Sequence, residues 1–321
     1  MKKLILSLFV AIMATVVVQA QQIAVVSGSS TSIYRSLETA ISKAPANSVI
    51  YLPGGGFPIS DEVKITKPLT IIGIGHKVRG DNADGYTTIT GNLQFDEGSS
   101  QSAVLGCYIT GNVIIGGTGV VNDITVRYCN LNSVQVKNAN CLETVVNQCY
   151  VRGTSDFNGA NGYFTHNIAY SIYNLDNGYI EYNIFTTDSS IFGTGNVLPY
   201  PSQSTSIIGN VFHNYGNKYT SQCLTSDNLL ADTTGNWGEG PVDCSANYSQ
   251  LFENPAGITP YASYKFKEEY KNLTNRCGIY VGNGFSDDQL PPVPYITDHR
   301  IPEQTDANGM LNIKVRVSAG Q

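Results

Sequence analysis

The sequence predicts an all-β solenoid, a single stack of short β-coils with one helix at its N-terminal end and a short β extension at its C-terminal end. Three observations predict it. When Cys107, Cys129, Cys149, Asn167, Asn183 and Asn210 are written in one column, the residues three before them are Val104, Val126, Val146, Phe164, Ile180 and Ile207. The residues two after are Ile109, Leu131, Val151, Ala169, Phe185 and Phe212, so both flanking columns are wholly apolar. The column positions lie 22, 20, 18, 16 and 27 residues apart. Units this short cannot bury an apolar side alone, so successive units must stack to build one core. Composition agrees: charged residues are 14% of the chain, against about 25% in an ordinary globular domain, and Gly, Asn, Ser, Thr and Tyr are plentiful, which suits short strands and tight turns.

In chain order, Met1 to Ala20 joins two lysines, an apolar run from Leu4 to Val18 and the small-residue cleavage site Val18-Gln19-Ala20. These are the three parts of a secretory signal peptide. The apolar run is 15 residues, short of the roughly 20 that a membrane-spanning helix needs. The mature chain is expected to be secreted, periplasmic or at the cell surface, with no transmembrane segment. Residues 21–286 are expected to be the solenoid with its N-terminal cap, and residues 287–321 a Pro-rich linker and a terminal strand.

Ile23 to Ser27 reads as a strand. Leu37, Ala40, Ile41 and Ala44 recur at helical spacing and Pro45 stops the pattern, which gives one brief amphipathic helix as the candidate cap over the open apolar end. Val49 to Leu52 is a strand, Gly54-Gly55-Gly56 a turn, and Leu69 to Gly75 leads into the coils. From about Thr87 to Asn214 the pattern is strand, turn, strand. Side chains alternate along each strand, so with positions −5 and −3 of the column facing in, positions −4 and −2 face out. The column residue is expected at a tight corner, where Asn tolerates a left-handed backbone. Its amide can bond the equivalent Asn one coil away, so Asn167, Asn183 and Asn210 form a structural ladder that satisfies buried polar groups. Cys107, Cys129 and Cys149 share that column. Stacked rungs about 4.8 Å apart hold their side chains in parallel, a poor geometry for disulfides, so they read as small buried spacers of the same ladder. Seven cysteines is an odd number, and Cys223 with Cys244 is the expected true pair.

The inward Asn column resembles that of the right-handed parallel β-helix in the pectin-lyase-like superfamily. Leu37-Glu38-Thr39-Ala40-Ile41 followed by Val49-Ile50-Tyr51-Leu52-Pro53-Gly54 resembles that superfamily's N-terminal cap. Leu251-Phe252, Tyr264-Lys265-Phe266 and Cys277-Gly278-Ile279-Tyr280 resemble its last coils. The similarity runs over residues 31 to 286 and implies the fold and its right-handed sense. It leaves activity open, because the superfamily holds lyases, hydrolases, esterases and adhesins. The Asn-Thr-Asp and Gly-His-Gly groups of its hydrolases are missing here. Gly153-Thr154-Ser155-Asp156-Phe157 resembles a pectin esterase run, but Asn158-Gly159 departs from it.

Nineteen Lys and Arg against 25 Asp and Glu leave a net charge of −6 with no basic stripe, so nucleic-acid binding lacks its electrostatic footprint. Two constellations remain. Lys137, Asp156 and Asp176 stand 8, 7 and 9 residues after their column positions on consecutive coils. Two carboxylates near a lysine would suit Ca²⁺-assisted β-elimination of a uronate, with Lys137 taking the α proton, or acid and base action on a glycosidic bond; otherwise they are a solvated ion pair on a turn. Ca²⁺ is implied only for a lyase, and no other cofactor is suggested. Tyr163 and Tyr179 share the outward −4 column, with Glu181 and Arg127 in the −2 column, a set suited to stacking against sugar rings or simply to cross-strand pairing. The expected partner is a polysaccharide or cell-envelope glycan, bound or processed, with a uronate-containing glycan in view; a non-catalytic surface or adhesion module is the alternative. The C-terminal extension, Pro291 to Pro294 as a stiff linker and Leu311 to Val317 as an alternating strand, is expected to pack along the solenoid or to dock a protein partner.

Overall fold

The computed structural model describes residues 22–77, 85–186, 204–212, 223–230, 248–255, 257–259, 262–282, 284–285, 294–300, 310 and 314–319. Met1–Ala20, expected to be a signal peptide, the expected linker residues up to Val293, and Cys244, the expected partner of Cys223, lie outside them.

The chain is a parallel β-solenoid of about seven turns. Each turn is built from short strands, and equivalent strands of successive turns pair in parallel to make long ladders. One ladder is an 11-stranded sheet running from Ser48–Tyr51 through Leu69–Ile72, Ala103–Leu105, Thr125–Arg127, Thr144–Asn147, Gly162–Thr165, Tyr179–Glu181 and Ser206–Ile208 to Leu224–Ser226. At its beginning, Ile23–Ser27 and Ser30–Tyr34 add as antiparallel strands. The other ladders share a 13-stranded sheet. The repeat in the sequence is the repeat in space: Val104, Val126, Val146, Phe164, Ile180 and Ile207 pair in register from turn to turn. All twelve residues of the −3 and +2 columns are fully buried.

The column itself is an inward ladder of hydrogen bonds. The Nδ2 groups of Asn167, Asn183 and Asn210 donate to the carbonyls of Val146, Phe164 and Ile180, each on the preceding turn, at 2.9, 2.7 and 2.7 Å. Each Oδ1 accepts from a backbone N–H one turn back: Cys149 to Asn167, Asn167 to Asn183 and Asn183 to Asn210, at 2.8 to 2.9 Å. A further member, Asn228, repeats both contacts with Ile207 and Asn210. Cysteine occupies the same place in the earlier turns: the Cys129 and Cys149 thiols donate to the Val104 and Val126 carbonyls at 3.6 and 3.5 Å. Cys107, Cys129 and Cys149 are free, fully buried thiols, and burial pushes the Cys129 pKa up to about 12.

Three expectations are corrected. The left-handed corner is not the column residue but the one before it: Tyr128, Gln148, His166 and Tyr182 have φ of 54, 54, 54 and 57°. The column residue must aim inward to reach its neighbours, so the residue before it makes the turn. A second left-handed corner stands at the other end of the same strand, at Gln101, Asp123, Glu143, Asn177 and Ser204. The glycine run 54–56 is not a turn alone, because Gly55–Pro58 is a strand paired with Thr87–Thr90. Lys314–Ala319 forms the expected C-terminal strand and pairs antiparallel with Pro294–Arg300. The expected helix forms at Leu37–Lys43, where the Ser36 hydroxyl accepts from the Thr39 N–H at 3.4 Å and Leu37, Ala40 and Ile41 are buried.

The third correction concerns Leu251-Phe252, Tyr264-Lys265-Phe266 and Cys277 to Tyr280, which add no turns. Phe252–Asn254 and Ser263–Phe266 form a separate antiparallel pair. Position +1 of the column faces outward and is apolar in the later turns, as Tyr150, Ile168, Ile184, Val211 and Leu229. These residues are buried together with Leu251, Phe252, Tyr264, Leu273, Cys277, Ile279 and Phe285 in a second hydrophobic cluster. The C-terminal segment is therefore a strap over an apolar stripe that the solenoid would otherwise leave to water. It is pinned at three levels: Arg276 to Asp227 at 2.6 Å, the Gly278 N–H to the Gly209 carbonyl at 2.8 Å, and His166 Nε2 to the Val281 carbonyl at 3.1 Å.

Candidate functional site

Alternation along the strands of the long sheet leaves two outward columns. Column −4 reads Val145, Tyr163, Tyr179, Ser206, Leu224, and column −2 reads Arg127, Asn147, Thr165, Glu181, Ile208. Register brings Tyr163 and Tyr179 face to face, with ring centroids 5.0 Å apart and planes within 8°. Their separation is that of the two strands, so the ring faces look along the solenoid axis. Mutual stacking uses one face of each ring and leaves two free, over Val145 and over Ser206. Both tyrosines remain exposed, at 36% and 42%.

Beside the stack runs a polar ladder. Arg127 Nε donates to Asn147 Oδ1 at 3.0 Å, and Asn147 Nδ2 donates to Thr165 Oγ1 at 2.9 Å. The Ser206 hydroxyl donates to Glu181 Oε1 at 2.7 Å. The Arg127 guanidinium also lies over the Tyr128 ring, 4.9 Å from its centroid. Arg127 and Glu181 sit three rungs apart, roughly 14 Å by strand spacing, so they act on different parts of any ligand rather than as a pair. At the corner next to this face His166 stacks on Tyr182 at 5.3 Å, and burial lowers its pKa below the usual 6.5.

Lys137, Asp156 and Asp176 are held differently. Asp156 is in register with Gln135 and Tyr173, not with Lys137. Its Oδ1 accepts from the Asn158 N–H and from Asn174 Nδ2, both at 2.9 Å. Lys137 Nζ donates to Gln135 Oε1 at 3.3 Å and pairs with neither carboxylate. Asp176 stands one turn further along, near Cys223. Among the described residues, no group of three or more His, Cys, Asp or Glu side chains is placed to hold a metal ion, and no helix is long and apolar enough to cross a membrane.

The structure adds an acidic pair that the sequence reading missed. Asp123 and Glu143 stand at the same left-handed corner of adjacent turns, and a hydrogen bond from one carboxyl to the other raises the Glu143 pKa. Their signal was the shared −6 position. Leu142 and Val120 are exposed on the same edge, at 49% and 42%.

Compared with known families, curated proteins and solved structures, the chain matches none.

Proposed function

We propose that this chain is an exported, right-handed parallel β-helix protein that binds polysaccharide on the outward face of its long sheet. The observation that carries the reading is the exposed Tyr163–Tyr179 stack beside two hydrogen-bonded sets, Arg127–Asn147–Thr165 and Ser206–Glu181. Aromatic surfaces bury the apolar faces of sugar rings, and a line of fixed donors and acceptors matches their hydroxyls. The rung repeat gives this face the extended, periodic form of a chain ligand. The N-terminal apolar segment supports export, and the inward Asn ladder supports the superfamily resemblance.

The same geometry favours binding over cleavage. A lysine that abstracts a proton needs its ammonium at the substrate, and Lys137 is turned to Gln135 instead. Asp156 is occupied by two donors from its own turn and the next. The test is a glycan array with the wild-type protein and a Tyr163→Ala/Tyr179→Ala variant, together with an ultraviolet assay for unsaturated uronate products. Binding lost in the variant, with the bound glycan recovered intact, is the expected result. Accumulation of unsaturated product that stops in Lys137→Ala would replace this reading with a lyase. Wild-type protein that captures no glycan would leave the structural or adhesion module as the better reading.

A further inference from the structure

One position along the outward columns is cut away. In column −4, Tyr179 and Leu224 project from strands two rungs apart, with Ser206 between them as the floor. Leu224 is 63% exposed and Tyr179 42%. Two rungs are about 9.6 Å, and a ring held at van der Waals contact on both faces needs about 4 Å on each side. The gap therefore accepts one flat, saturated ring between the free face of Tyr179 and the Leu224 side chain. At the floor, the Ser206 hydroxyl is committed to Glu181 Oε1 at 2.7 Å, which fixes the carboxylate and leaves Oε2 to accept hydroxyls from a ring in the notch. The other free face of the stack, on Tyr163, has no matching notch, because Val145 fills the next rung with a branched side chain.

The geometry points to a single-pyranose subsite in the Tyr179–Ser206–Leu224 notch, selective for an uncharged sugar. The tyrosine and leucine walls cover the two apolar ring faces, and Glu181 accepts from a vicinal diol at the ring edge. A uronate in the same place would set its carboxylate against Glu181, and like charges at close range disfavour it. This inference rests on the binding function proposed above and narrows it: the uronate of an acidic glycan, if present, lies elsewhere on the face, towards Arg127.

Titration calorimetry with cellohexaose, xylohexaose and hexagalacturonate tests it. Wild-type protein is expected to bind one of the two neutral hexasaccharides at least tenfold more tightly than hexagalacturonate. Ser206→Tyr, which continues the stack and fills the notch, is expected to weaken that binding at least tenfold, and Leu224→Ala, at an exposed wall, to weaken it severalfold without touching the floor. Lys43→Ala, on the exposed side of the N-terminal helix and away from this face, serves as the comparison and keeps wild-type affinity. Circular dichroism confirms that each variant is folded. If Ser206→Tyr and Leu224→Ala both bind as wild type while Tyr163→Ala/Tyr179→Ala does not, the notch is overturned and the binding face stands. Preference of the wild type for hexagalacturonate overturns the selectivity. Failure of all three sugars to bind wild-type protein overturns the notch, and the binding face falls with it only when the glycan array is also blank.

Discussion

Replacing Asn183 by leucine removes an interior rung of the inward ladder while keeping the number of side-chain heavy atoms. The Asn183 amide accepts from the Asn167 N–H at 2.8 Å and donates to the Phe164 carbonyl at 2.7 Å. In the leucine variant the Asn167 N–H is buried with no partner, and the Phe164 carbonyl keeps only its bond in the strand ladder. A buried group left unsatisfied costs about 1–3 kcal/mol. One orphaned donor and one under-satisfied acceptor therefore cost about 2–4 kcal/mol, a large part of a total stability of about 5–15 kcal/mol. For a domain of this size that is a fall in Tm of roughly 4–16 °C. Asn183→Cys should lose about half as much, because the thiols of Cys129 and Cys149 already occupy this rung position and donate to the equivalent carbonyls. Thermal and urea unfolding followed by circular dichroism gives the order wild type, Cys, Leu. A leucine variant as stable as wild type, or more stable than the cysteine variant, would refute the claim that these amides hold the turns together.

The thiols of Cys107, Cys129 and Cys149 are buried and raised in pKa by that burial, so alkylation at pH 8 should leave all three unmodified in native protein and modify them in urea. Mass spectrometry reads this, and native labelling at any of them would contradict the ladder. Because burial lowers the His166 pKa below 6.5, the unfolded chain binds more protons than the folded one between the two values, so stability should fall as pH drops from 7 through that window and level off below it. His166→Phe should flatten this part of the pH profile; an unchanged profile would show that His166 does not supply it. Ile180→Asp buries an unpaired charge at a fully buried position and should abolish the yield of folded protein; normal yield and melting would contradict the burial of the −3 column.

The apolar columns were legible because every turn repeats the same constraint: two inward positions around an inward polar one, read off by eye at six places. The outward tyrosine pair was legible for the same reason, since strand alternation alone puts Tyr163 and Tyr179 on one face. The corner was misplaced by one residue because Tyr128, Gln148, His166 and Tyr182 do not look like left-handed residues; the pull of the column side chain into the core imposes that conformation. Lys137, Asp156 and Asp176 looked aligned when counted from the column, but Tyr150–Asp156 is an unbroken strand with a register shift between Val151 and Thr154. Counting past such a shift loses the alignment. The strap was misread as further turns because Leu251, Phe252, Tyr264 and Phe266 have the right apolar spacing; what decides their place is the outward stripe they cover, a feature of distant residues.

That strap changes how the molecule responds to force and to synthesis. Between Arg276, Gly278, Val281 and Phe285 the chain descends from Asp227 past Gly209 and His166 to Tyr150, against the direction in which the turns accumulate. Stacked repeats normally peel one at a time from a free end. Here the strap clasps the second half of the stack like a bookbinding thread, so a pull on the C-terminal side meets several turns at once and unravelling should begin in the unbound first half. It also means that an emerging chain carries its apolar stripe bare until Leu251 to Phe285 arrive, which makes the holding of incomplete chains, rather than the nucleation of turns, the vulnerable moment of its biogenesis.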